Sequence, residues 1–119
     1  MPLALVPKIE GYDILLPRRS ANSFLGETLA SNATDDQRIK AGFFKVIPGE
    51  PLVHTYDADE FKIITEVHNG TFHLSDETGQ AIEAQVGDVI LLDKGATITF
   101  EVKGGEDAYA HAFWVIRKA

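Results

Sequence analysis

The chain has 119 residues, 45% of them hydrophobic and 24% charged, which is the length and composition of one globular domain and excludes wholesale disorder or two separate cores. With 18 acidic against 11 basic residues the net charge is −7, a field that repels phosphate backbones and anionic lipid, so no nucleic acid and no membrane is expected as a partner. Cysteine is absent, which removes disulfides, thiolate metal sites and cysteine nucleophiles.

The opening MPLALVP has no basic start, and its apolar run stops at Pro7, too short for a signal peptide or a membrane span. A soluble, cytoplasmic chain is the expectation. Apolar and polar residues then alternate, and no window of helical length keeps an apolar face at i, i+3 and i+4. GYDILLP and FFKVIPG read as short strands closed by proline or glycine. Between them LGETLASNATDDQR reads as a polar surface connection, with room for one helical turn within residues 24 to 40. EFKIITEV, GTFHLS, QAIEAQV, DVILL, ATITFEV and AYAHAFWVI follow as strands, separated by HNG, DETG, GD, DKG and KGGED. The strongest hairpin signal is Asp76 to Gly79, where the Asp carboxylate can bond local backbone and Gly79 permits a left-handed conformation. Many short strands at near-regular spacing predict a single all-β domain spanning residues 1–119, as a sandwich, jelly roll or small barrel. Its edge strands make a homodimer the expected assembly.

Two stretches carry a family resemblance. GEPLVHTYDADEFKIITEVHNG supplies Gly49, His54, Tyr56, Glu60 and Gly70, and GDVILLDKGATI supplies Gly87, Asp93, Gly95 and Ile98. These resemble the two motifs of the cupin superfamily, G-x5-H-x-H-x3,4-E-x6-G and G-x5-P-x-G-x2-H-x3-N. Tyr56 stands at the second histidine of the first motif, while Asp93 and Ile98 stand at the proline and histidine of the second. The first motif also departs by one residue before His54 and by three before Gly70. From AGFF through ATITF, about two thirds of the chain, the layout is similar to the small ethanolamine-utilisation protein Q-like cupins. The resemblance implies a single-domain cupin jelly-roll β-barrel with a site in its mouth. It implies no one reaction, because a fold hosts many.

A mononuclear metal site takes three or four donors at about 2.0 to 2.2 Å. Carrying the motifs over residue by residue leaves only His54 and Glu60, so no metal and no cofactor are expected. A rearranged set drawing on Tyr56, His68, His73 or His111 is the alternative. His68 beside Asn69 and Gly70 reads as an exposed turn residue, and His73, opposite in parity to Phe72 and Leu74, as facing solvent.

His54 and Tyr56, two apart on a strand, share a face, and Glu60 follows the Asp57–Asp59 turn. An imidazole, a phenol and a carboxylate in a partly apolar cavity form an acid–base set. Lys45 interrupts an apolar strand and shares parity with Phe43 and Ile47; inside the barrel it needs an anionic partner, and outside it is an ordinary edge charge. Lys62 shares parity with Glu60 and Glu66. In the last strand Tyr109, His111, Phe113 and Val115 alternate with Ala110, Ala112, Trp114 and Ile116. The first set suits a pocket and the second a close-packed seam, so His111 is expected inward. His54, Tyr56, Glu60, Lys45 and His111 are thus the candidate catalytic residues, and Phe43, Lys62, Phe100 and Phe113 the candidate substrate-binding ones. Walker loops, Gly-x-Gly-x-x-Gly turns and serine-hydrolase elbows are absent. The expected function is metal-independent acid–base chemistry of lyase, dehydratase, isomerase or cyclase type on a small metabolite. A non-catalytic ligand-binding or assembly module is the other reading.

Overall fold

Alternating sequence becomes strand along most of the chain in the computed structural model, which describes residues 3–7, 18–20, 23–34 and 37–117. Among these residues there are eight strands: β1 (Arg18–Ser20), β2 (Ser23–Ala30), β3 (Ile39–Val46), β4 (Leu52–Thr55), β5 (Glu60–Ser75), β6 (Ala81–Ala84), β7 (Val89–Leu92) and β8 (Thr97–Arg117). No described segment is a helix long and apolar enough to cross a membrane.

Two long strands organise the fold. β5 and β8 pair antiparallel over almost their whole length, with register shifts between Ile64 and Glu66 and between His68 and Gly70. The first half of β5 and the second half of β8 join β3, β2, β1 and β7 in one layer, while their other halves join β4 and β6 in a second. The layers face each other. Phe44 from β3 meets Phe100 from the first half of β8 edge to face at 5.2 Å, a pairing worth about 0.5–1.5 kcal/mol beyond its buried area. The core continues through Val46, Ile64, Phe72, Leu74, Ile98, Val102, Ala110, Ala112 and Trp114. This is an all-β jelly roll whose strand pairings, among the described residues, do not close into a ring.

Several boundaries differ from those read in sequence. Residues 23–30 form strand β2 rather than a surface connection, because Leu25 and Gly26 fall in register with Phe44 and Phe43 and complete the β3 edge. HNG and KGGED are bends inside β5 and β8, not breaks. The reason is steric: Gly70 pairs with Gly104, and a Cβ on Gly70 would sit 2.4 Å from the Lys103 carbonyl oxygen, so only glycine lets the two backbones cross there. GYDILLP, residues 11–17, lies outside the described residues. The hairpin at Asp76 to Gly79 forms as expected, with Asp76 Oδ1 accepting from the Thr78 amide at 2.9 Å and the Thr78 hydroxyl at 2.6 Å.

Candidate active site

A cavity of about 390 Å³ lies between the layers, lined by residues that include His54, Tyr56, Glu60, Lys62, Phe44, Phe100 and Trp114. β4 and the residue after it aim His54 and Tyr56 to one side, and their rings meet edge to face at 4.6 Å. The start of β5 points Glu60 and Lys62 at the same space, since residues two apart on a strand share a face. Lys62 is 2% exposed and Glu60 is 6% exposed. The Lys62 ammonium lies 2.8 Å from Glu60 Oε2, 4.4 Å from the centroid of the Phe44 ring and 5.6 Å from that of Phe100.

That setting works on the lysine in two directions. Burial takes a charge out of water and lowers its pKa below the ordinary 10.5; attraction to the Glu60 carboxylate and the hydrogen bond to it push back, and burial prevails. The ring faces also favour a cation, by about 2 kcal/mol where it is desolvated. A lysine held this way is a poised proton donor and a stabiliser of developing negative charge.

Five of the sequence candidates, His54, Tyr56, Glu60, Lys62 and Phe100, are brought together at this cavity. Lys45, His111, Phe43 and Phe113 are not: they lie on the outer face of the first layer. There Phe43 packs edge-on against Phe113 at 5.8 Å, Lys45 sits 4.9 Å from the Tyr109 ring centroid, and His111 is 5.4 Å from that ring. The assignment of the two faces of the last strand is therefore reversed. Interior positions fall to Ala110, Ala112 and Trp114, because the small alanines fit opposite Val67 and Ile64 and the Trp114 indole N–H finds the Phe43 carbonyl at 3.1 Å. Gly42 clears the space, since a Cβ there would come within 2.7 Å of the indole ring. Glu66 parts from Glu60 and Lys62 for the same kind of reason: the register shift after Ile64 turns it outward, where it accepts the Tyr109 hydroxyl at 2.9 Å. That hydrogen bond, followed by burial and the nearby charge, raises the Tyr109 pKa above its usual 10.0. His68 is not a turn residue but stacks on Tyr109 at 5.0 Å, and His73 shares a 2.7 Å hydrogen bond with Thr71.

Sequence reading also left out Glu27 and Lys40, which line the cavity as a rim ion pair at 3.6 Å. The parity of Lys40 with Phe44 was a usable signal. Glu27 has none, because its polar surroundings and the register shift after it hide the alternation of β2.

The second-motif turn is kept although its histidine is not. Gly95 N donates to the Tyr56 carbonyl at 2.7 Å, Tyr56 N to the Ala96 carbonyl at 2.9 Å, and Lys94 N to Asp59 Oδ1 at 2.8 Å, so the turn latches the segment that carries Tyr56. Ile98 pairs directly across from His54 and is buried. The residues present do not fit a mononuclear metal centre. Ile98 cannot coordinate, Glu60 faces a cation, and His68, His73 and His111 lie outside the cavity. Among the described residues no group of three or more His, Asp or Glu converges as a ligand set.

The fold is that of the cupin superfamily. The chain is similar in fold to ethanolamine utilization protein Q from Salmonella typhimurium, at 23% identity over 82% of this chain and 70% of that one, with a TM-score of 0.60. It is also similar to the polyketide cyclase RemF from Streptomyces resistomycificus, at 15% identity over 96% of this chain and 78% of that one, TM-score 0.70. A third such structure is the DMSP lyase DddQ from Ruegeria pomeroyi, at 15% identity over 81% of this chain and 47% of that one, TM-score 0.61. The likeness is one of fold. No protein-family model and no curated protein sequence matches the chain.

Proposed function

We propose that the protein is a metal-independent enzyme of lyase, isomerase, dehydratase or cyclase type, acting by proton transfer on a small polar or aromatic metabolite in this cavity. The observation that carries the reading is the buried Lys62–Glu60 pair on a wall shared with His54 and Tyr56. His54 and Tyr56 donate and accept the protons, and the Lys62 ammonium stabilises enolate or carboxylate charge. Glu60 holds that ammonium in position. The cavity volume suits a small metabolite, since ligand sites usually run from about 300 to 1,000 Å³. That a cyclase and a lyase share the fold supports an enzyme over a passive module. A homodimer is proposed on the exposed apolar residues Phe61, Ile63, Val89 and Leu91, which pair across β5 and β7, with sedimentation as its measurement.

Deuterium exchange tests the activity without a known substrate. A panel of small keto acids, hydroxy acids and aromatic ketones is incubated with the protein in deuterium oxide and followed by NMR. The expected result is catalysed incorporation next to the carbonyl of at least one compound, lost in His54→Ala and kept in the outer-face variant Lys45→Ala. Saturable binding with no exchange in any compound would leave the binding-module reading instead.

A further inference from the structure

From the position of Lys62 we infer that its amine is a nucleophile that forms a protonated imine with an aldehyde or ketone in the cavity, which makes the substrate class a small carbonyl compound. The inference rests on the reading of this cavity as an active site and adds a covalent step to it. Three features of the geometry support it. Among the described residues Lys62 is the buried lysine, and it lines the cavity. A carboxylate 2.8 Å away can take and return its proton. The Phe44 and Phe100 faces border the nitrogen at 4.4 and 5.6 Å, an apolar surround that favours loss of water and a cation that would stay over the same rings.

The step balances on these groups alone. Glu60 accepts a proton from the ammonium, and the freed lone pair forms a bond to the carbonyl carbon while the C=O π pair moves to oxygen. Glu60 passes its proton to that oxygen, then carries a second one from nitrogen to it, and the C–O bond breaks to release water. Two of the three ammonium protons leave in the water and the third stays on the imine nitrogen, so the positive charge is conserved. The imine then draws electrons from the adjacent carbon, where His54 or Tyr56 removes or adds a proton. A lowered lysine pKa, caused first by burial, raises the share of neutral amine that attacks.

Reductive trapping decides the matter on the intact chain. The protein is treated briefly with glyoxylate and sodium cyanoborohydride, which delivers hydride to the imine carbon, and the modified lysines are mapped by mass spectrometry after digestion. Lys62 is expected to be labelled roughly tenfold more than the exposed Lys94 and Lys103, because the neutral amine is the reacting form. In Lys62→Met, shown to be folded by circular dichroism, that adduct is lost while Lys94 and Lys103 label as before. Labelling of Lys62 in the unmodified chain at or below the level of Lys94 and Lys103 would overturn the inference. The two readings separate cleanly: exchange in deuterium oxide without trapping leaves acid–base chemistry standing and removes the imine, whereas trapping without exchange does the reverse.

Discussion

The ammonium of Lys62 lies 2.8 Å from a carboxylate oxygen of Glu60, two residues earlier on the same strand, and both side chains are buried. Such a pair is held together more than it holds the protein together, because the desolvation of two ions offsets most of their attraction.

Removing one partner is therefore expected to cost far more than removing both. Glu60→Leu leaves an unpaired buried cation and should lower stability by about 3–5 kcal/mol. Lys62→Met combined with Glu60→Leu should return to near the original stability, or exceed it. Urea denaturation of the two variants checks this, and equal losses in both would contradict the account.

The same lysine sets a pH dependence. Its pKa is lowered on folding, so between the folded value and 10.5 the unfolded chain binds a proton that the folded chain has released. Stability contributed by this group then rises with pH through that window. Tyr109 acts oppositely, since its raised pKa makes the folded state hold a proton above pH 10.0. Subtracting the profile of Lys62→Met removes the Tyr109 contribution. The difference should climb with pH up to about 10.5, the unperturbed lysine value; a flat difference would mean that burial does not lower the pKa of Lys62.

Exchange catalysis should separate the two faces of the sheet. His54→Ala is expected to slow it by about a hundredfold, the scale of a lost general acid or base, and Tyr56→Phe by a comparable factor. Lys45→Ala should be close to unchanged, because Lys45 lies on the outer face against Tyr109. Near-normal rates in both His54→Ala and Tyr56→Phe would remove those residues from the chemistry.

Elemental analysis is expected to find no stoichiometric iron, zinc, nickel or manganese after mild chelation. Ile98 stands across from His54, and Lys62 already meets the Glu60 carboxylate. About one metal per chain that is lost on His54→Ala would restore a metal enzyme.

The fold class was legible because strand alternation is local: each hydrophobic face announces itself within a few residues. Register was not. The two shifts in β5 reverse and then restore parity, so Glu66 leaves the face of Lys62 while Phe72 and Leu74 return to the interior. No composition signal marks where a strand takes an extra residue. The cavity residues nearest the cupin motifs, His54, Tyr56 and Glu60, were found because the motif spacing survives there. His111 lies on the face opposite to the one its alternation suggests, and alternation leaves the face of Lys45 open, because a charged or aromatic residue fits either face of a strand until its partner across the sheet is known. His111 shows this well: it is buried, at 6% exposure, yet on the outer side.

The latch between Tyr56 and the turn at Lys94–Ala96 has a kinetic consequence. Three hydrogen bonds pin that side of the cavity, so a molecule entering there would have to break them in passing. Among the described residues the β2–β3 side of the cavity carries the 3.6 Å contact between Lys40 and Glu27, a pair open to solvent and weak for that reason. Both residues line the cavity next to solvent, so changes at Lys40 or Glu27 are expected to alter how fast a ligand arrives and leaves, whereas changes at the buried Lys62 are expected to alter what happens to it once inside.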